Sequence, residues 1–91
     1  MFHRVLSVEA LLDFELLVVF QNGDARRYDV KPLIGKWAPF SALQTVTGLF
    51  QQVRVDQGGY GIVWNDELDL SCDELWANGV PVERSPFEEA L

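Results

Sequence analysis

The sequence predicts an α+β fold: a small, mostly antiparallel sheet, one or two short helices, and a C-terminal helix packed on the sheet. Three observations lead there. Residues 3–30 alternate as a three-stranded meander around an Asn-Gly pair, and residues 53–64 form a second hairpin pattern around a glycine pair. Ser71-Cys72-Asp73-Glu74 then has the form of a helix start.

In the first strand, Phe2, Arg4, Leu6 and Val8 share one face and His3, Val5, Ser7 and Glu9 the other. In the second, Phe14, Leu16, Val18 and Phe20 line one face, while Leu17 and Val19 make the opposite face apolar as well. That pattern predicts a central strand covered on both sides. Asn22-Gly23 suits a two-residue type I′ turn, because both residues tolerate positive φ. The partner strand runs from about Ala25 to Val30. Pro32, which lacks a ladder donor, and Gly35 then take the chain out of the sheet.

Residues 36–52 show no strict alternation, and Leu49, Phe50 and Val53 are spaced for one or two helical turns. VRVD and YGIVW form the second hairpin, closed by Gln57-Gly58-Gly59. At Ser71 a capping box is expected, with the serine oxygen accepting from the Glu74 amide and Glu74 reaching back to the Ser71 amide. Leu75 and Trp76 dock that helix on the sheet, and Asn78-Gly79 supplies a left-handed stop. Pro81 and Pro86 mark residues 80–91 as an irregular acidic tail, leaving residues 1–79 as a single domain.

Composition narrows the chemistry. A chain of 91 residues with 48% hydrophobic and 23% charged residues is globular in character and large enough for one modest core. The net charge of −7 is concentrated: residues 55–91 hold nine acidic side chains against Arg84 alone. Such a balance disfavours direct nucleic-acid binding, which needs a dense basic face, and serves solubility or a basic partner. One cysteine excludes an intramolecular disulfide and a multi-cysteine zinc site. Glu9, Asp13 and Glu15 interrupt the apolar N-terminal stretch, so neither a secretory leader nor a membrane span is expected and a cytoplasmic location is.

Each motif that hints at chemistry has a structural reading beside it. The glycines of DQGGYGIVW lead into a strand rather than a helix and lack a following Lys-Ser/Thr, so a hairpin turn is favoured over a phosphate loop. Asp66, Glu67, Asp69 and Asp73 lack the central glycine of a calcium loop; capping and solvation account for them, and no metal or cofactor is expected. His3 is the lone histidine, and Cys72 is read as a small apolar filler in the first turn of a helix. No catalytic residues are assigned. Arg26 and Arg27 could grip an anion, with Trp64 beside them, or serve to protect a strand edge. Trp37 and Phe40 become an interface if they lie outside the core, and Asp66, Glu67 and Asp69 complete the candidate interaction surface.

Taken in order, FELLVVFQNGDARRYDVKPLI, LFQQVRVDQGGYGIVW and LDLSCDELW resemble the bacterial family termed domain of unknown function 2442. The resemblance covers about residues 3–77. The family often has a glycine in the segment that here reads Trp64-Asn65-Asp66-Glu67-Leu68-Asp69-Leu70. The resemblance implies an α+β fold, no agreed catalytic residues, and for some relatives a link to toxin–antitoxin gene pairs. The expected function is therefore a non-enzymatic cytoplasmic interaction module, antitoxin-like or homo-oligomeric, with a protein partner that is itself or an adjacent gene's product. The alternative is a small-anion binding domain built on the Arg26/Arg27 strand.

Overall fold

A computed structural model describes residues 2–82. The strands are β1 (Val5–Ala10), β2 (Glu15–Phe20), β3 (Ala25–Asp29), β4 (Arg54–Val55), β5 (Gly61–Asn65), β6 (Leu68–Ser71) and β7 (Val80–Pro81). The helices are α1 (Lys31–Lys36), α2 (Ala42–Thr45) and α3 (Cys72–Asn78), with short 3₁₀ turns at Leu12–Phe14, Ala38–Ser41 and Phe50–Gln52. All strand pairs are antiparallel, in a four-stranded sheet ordered β1-β2-β3-β7 and a three-stranded sheet ordered β4-β5-β6. The α+β class and the meander are as the sequence predicts. The single sheet is in fact two.

The two sheets share one core, because neither is large enough to bury its own apolar face alone. Leu16, Val18 and Phe20 of β2 meet Ile62, Trp64 and Leu68 of the second sheet, with Val30, Leu43 and Phe50 filling the periphery. Leu17 and Val19 stand on the opposite face. Among the described residues neither belongs to the core or packs against it; they are half-buried in the ladder, with Glu9 and Arg27 beside Leu17 and Ser7 and Ala25 beside Val19. The expectation of cover on both sides is thus corrected, although β2 is central in the ladder.

Several local details also differ from the sequence pattern. A register shift between Val5 and Ser7 changes the phase of β1, so Val5 is buried and Leu6 is exposed. The β2–β3 turn has three residues: Gly23 N–H donates to the Phe20 carbonyl at 2.9 Å, Phe20 N–H donates to Asp24 at 2.8 Å, and of Asn22 and Gly23 only Gly23 has positive φ. This is a type I turn with a glycine bulge rather than the type I′ form. The segment read as a join between hairpin and helix forms β6. The Asn65 side-chain oxygen accepts from the amides of Glu67 (2.9 Å) and Leu68 (3.0 Å), shaping the Asp66-Glu67 turn without a glycine. Gly79 is extended, with φ −75°, rather than left-handed. Val80 and Pro81, assigned to the tail by the sequence, pair with Arg27 and Arg26; the rest of that tail, residues 83–91, lies outside the described residues.

Gly61 shows where backbone approach sets residue identity. It faces Ser71 in the β5–β6 ladder, and a Cβ there would run into the Leu70 carbonyl. Gly35, on α1, has open space around it. Gly61→Ala is expected to lower stability by about 1–3 kcal/mol, whereas Gly35→Ala should be neutral or stabilising by up to about 1 kcal/mol. Urea unfolding of the two variants checks this, and equal midpoints would contradict it.

Candidate functional site

Arg26 and Arg27 are adjacent on β3, so their side chains leave opposite faces of the sheet. Arg26 turns toward α3: its guanidinium carbon lies 3.9 Å from the Trp76 ring centroid, and Nη1 donates to the Gly79 carbonyl at 3.4 Å. His3 stacks on the same indole at 3.6 Å and Phe20 meets it edge-on at 5.0 Å. Arg27 instead pairs with Glu15 at 2.7 Å. Trp64 is buried, and its ring N–H donates to the Phe50 carbonyl at 3.1 Å. The anion-binding trio of Arg26, Arg27 and Trp64 is therefore not brought together.

A different concavity is. Between the outer edge of β3, α1 and the end of α3 runs a groove of about 590 Å³, walled by Pro32, Leu33 and Val80 and rimmed by Arg27 and Lys36. On its floor the Tyr28 hydroxyl donates to Glu74 Oε2 at 2.7 Å, and Asn78 Nδ2 donates to the same oxygen at 2.9 Å. Burial pushes the Tyr28 phenol pKa up, and the hydrogen bond to Glu74 and its negative charge push it further, so the phenol stays a donor. Half of the expected capping box is present: Ser71 Oγ accepts from the Glu74 amide at 3.1 Å. The other half is replaced, because the Glu74 carboxylate is committed to Tyr28 and Asn78. Local sequence could show the cap but not a partner 46 residues away.

At the same end of the molecule, Lys31 gathers the loop between β1 and β2. Its ammonium donates to the Asp13 carbonyl at 2.8 Å and lies 2.9 Å from Asp29, 3.3 Å from the Asp13 carboxylate and 3.9 Å from Glu15. Desolvation works against the Asp29 carboxylate, but the hydrogen bonds and charge of Lys31 outweigh it and hold its pKa below the ordinary value. Asp13 and Phe14 both have positive φ, 62° and 57°, which is uncommon for an acidic residue and an outlier for an aromatic one. The strain is held by Val30 N–H donating to the Phe14 carbonyl at 3.0 Å and by the Phe14 ring packing on Phe50 at 5.2 Å. Leu12, at the tip, is 92% exposed.

The remaining candidates are dispersed. Trp37 follows α1 and is 56% exposed, while Phe40 is half-buried edge-on to Trp64 at 6.1 Å. Asp66 and Glu67 lie exposed in the β5–β6 turn, and Asp69 is exposed on β6. Among the described residues, no three His, Cys, Asp or Glu side chains are placed to share a metal ion. Cys72 is buried; burial raises its thiol pKa and the Asp73 charge adds to that, so it packs as a neutral filler. Among the described residues no helix is long and apolar enough to cross a membrane.

The family described as protein of unknown function (DUF2442) matches residues 5–81, and the chain belongs to it. No curated protein and no solved structure matches the chain.

Two outcomes test the polar links. Tyr28→Phe removes a hydrogen bond to a carboxylate and should cost about 1.5–3 kcal/mol, most of which disappears when Glu74→Ala is the background; a double-mutant cycle in urea measures it. Because the folded-state pKa of Asp29 is depressed, its contribution is present above the ordinary carboxylate range and is lost as pH falls through the folded value. Asp29→Asn should therefore flatten the acid limb of the stability–pH curve below about pH 4. An unchanged slope in the variant would speak against the Lys31 cluster.

Proposed function

We propose that this DUF2442 chain is a non-enzymatic, cytoplasmic protein-interaction module that binds the product of an adjacent gene in an antitoxin-like pairing. The observation that carries this reading is Trp37. Its indole is 56% exposed, yet its backbone is fixed: Trp37 N–H donates to the Leu33 carbonyl at 2.9 Å and its own carbonyl accepts from Phe40 at 2.9 Å. Phe40 anchors the corner against Trp64 from behind. An exposed tryptophan on a fixed backbone has little backbone freedom to lose on docking, and tryptophan is among the residue types that most often dominate a protein interface.

The placement of potentially reactive groups supports the same reading. His3 is stacked flat on Trp76, and Cys72 is buried with its thiol held protonated. The small-anion alternative has less support, because Arg26 is occupied by Trp76 and Trp64 is enclosed by the core.

Wild-type protein and Trp37→Ala, each used as bait in the native host, test the proposal. Wild type should retain the neighbouring gene's product in stoichiometric amount, and Trp37→Ala should retain on the order of tenfold less at an unchanged melting temperature. Equal capture by both, or capture by neither, would contradict it.

A further inference from the structure

We infer that Asn22 is a site of self-modification: in the folded chain its side-chain amide is lost through attack by the Gly23 backbone nitrogen, while the second Asn-Gly pair, Asn78-Gly79, is spared. The inference goes beyond the partner reading and does not depend on Trp37. The only co-reactant is water. A solvent base takes the Gly23 N–H proton, and the nitrogen bonds to Asn22 Cγ. The Cγ–Nδ2 bond then breaks, the base returns the proton to Nδ2, and ammonia leaves behind a cyclic imide. Water opens the imide at Cγ to give aspartate, or at the main-chain carbonyl to give isoaspartate, in which the chain runs through Cβ and Cγ. Glycine suits the attacking position because it brings no Cβ to crowd the nitrogen.

The β2–β3 turn favours each part of this step. Residues 21–24 are exposed, and a Cβ on Gly23 would meet nothing within 4 Å, so the imide has room. The Asn22 side chain folds forward over the attacking residue, with Oδ1 accepting from Asp24 N–H at 3.0 Å. That bond holds Cγ on the Gly23 side. It also points a backbone donor at the oxygen on which negative charge develops during attack. Gly23 N–H is itself held by the Phe20 carbonyl at 2.9 Å. Freeing it disturbs only an exposed loop tip, and such tips open at small cost compared with global unfolding.

The other asparagines lack this combination. Asn78 points backward, its Nδ2 donating to Glu74 Oε2 at 2.9 Å on the preceding turn of α3. Gly79 is buried, its N–H donates to the Leu75 carbonyl at 3.0 Å, and a Cβ there would run into that carbonyl. Freeing Gly79 therefore releases the end of α3, the helix on which both sheets pack. Asn65 accepts from the amides of Glu67 and Leu68, but Asp66 follows it and brings a Cβ to the attacking nitrogen. Conversion at Asn22 places a new carboxylate beside Asp24, whose Oδ2 lies 3.5 Å from Asn22 Nδ2. One carboxylate added to a net charge of −7 makes it −8.

Ageing the full chain at neutral to mildly alkaline pH, with peptide mass mapping at intervals, tests this. In the folded chain the amide-to-acid mass gain should appear in the peptide holding Asn22 at least about tenfold faster than in the one holding Asn78. In urea above the unfolding transition both pairs lose their surroundings, and the two rates should come within about threefold of each other. Trp37→Ala should leave the Asn22 rate unchanged, which separates this outcome from failure of the partner reading. Equal rates in the folded chain, faster conversion at Asn78, or an Asn22 that stays intact until the chain unfolds would overturn the inference. A tenfold difference that persists in urea would also overturn it, since local sequence and not the fold would then set the rates.

Discussion

The structure depends on α3 burying one stripe against two sheets at once. Leu75 and Cys72 enter the shared core, and the helix packs against β3 of the first sheet and β5 and β6 of the second. Among the described residues neither sheet has a ladder to the other; along the backbone they are linked by the Val5 N–H donating to the Gly59 carbonyl at 2.7 Å. Full burial of Leu75 contributes about 1.5–3 kcal/mol, a large share of the margin available to a domain of this size. Side-chain links reinforce the attachment on the β3 side, where Tyr28 meets Glu74 and Arg26 lies on Trp76.

That attachment also makes the surface features possible. The groove exists because α3 ends at Asn78 and the chain returns along β3 for only two residues, leaving the edge beside Tyr28 and Asp29 open toward α1. The Lys31 cluster then fixes the neighbouring loop against that edge. Lys31, Asp13 and Asp29 are exposed and Glu15 is half-buried, so each ion pair contributes little to stability. Their effect is positional, holding Asp13 and its strained backbone next to the groove.

Much of this was legible in the sequence, and the failures have physical causes. Alternation found β1, β2, β3 and β5 because each has one buried face, and the Ser71-to-Glu74 cap announced α3 because capping is a local hydrogen bond. The β6 strand is hidden in the sequence because Asn65 makes its turn through a side chain and not a glycine, and because Asp66 and Asp69 read as a solvated approach to the helix. The phase of β1 is shifted by a bulge between Val5 and Ser7, which has no composition signature. At the site, Arg26 and Arg27 were paired by adjacency, although strand geometry sends neighbours to opposite faces. Tyr28, Glu74 and Lys31, which build the groove and the loop, could not be found from spacing, since their partners are brought together only by the fold.

Native-state hydrogen exchange tests directly whether α3 unites the two sheets. The amides of β2, β5 and the interior of α3 should exchange through one global opening with a shared free energy and a shared denaturant dependence. Exchange of α3 at a much lower free energy, with both sheets still protected, would contradict the account.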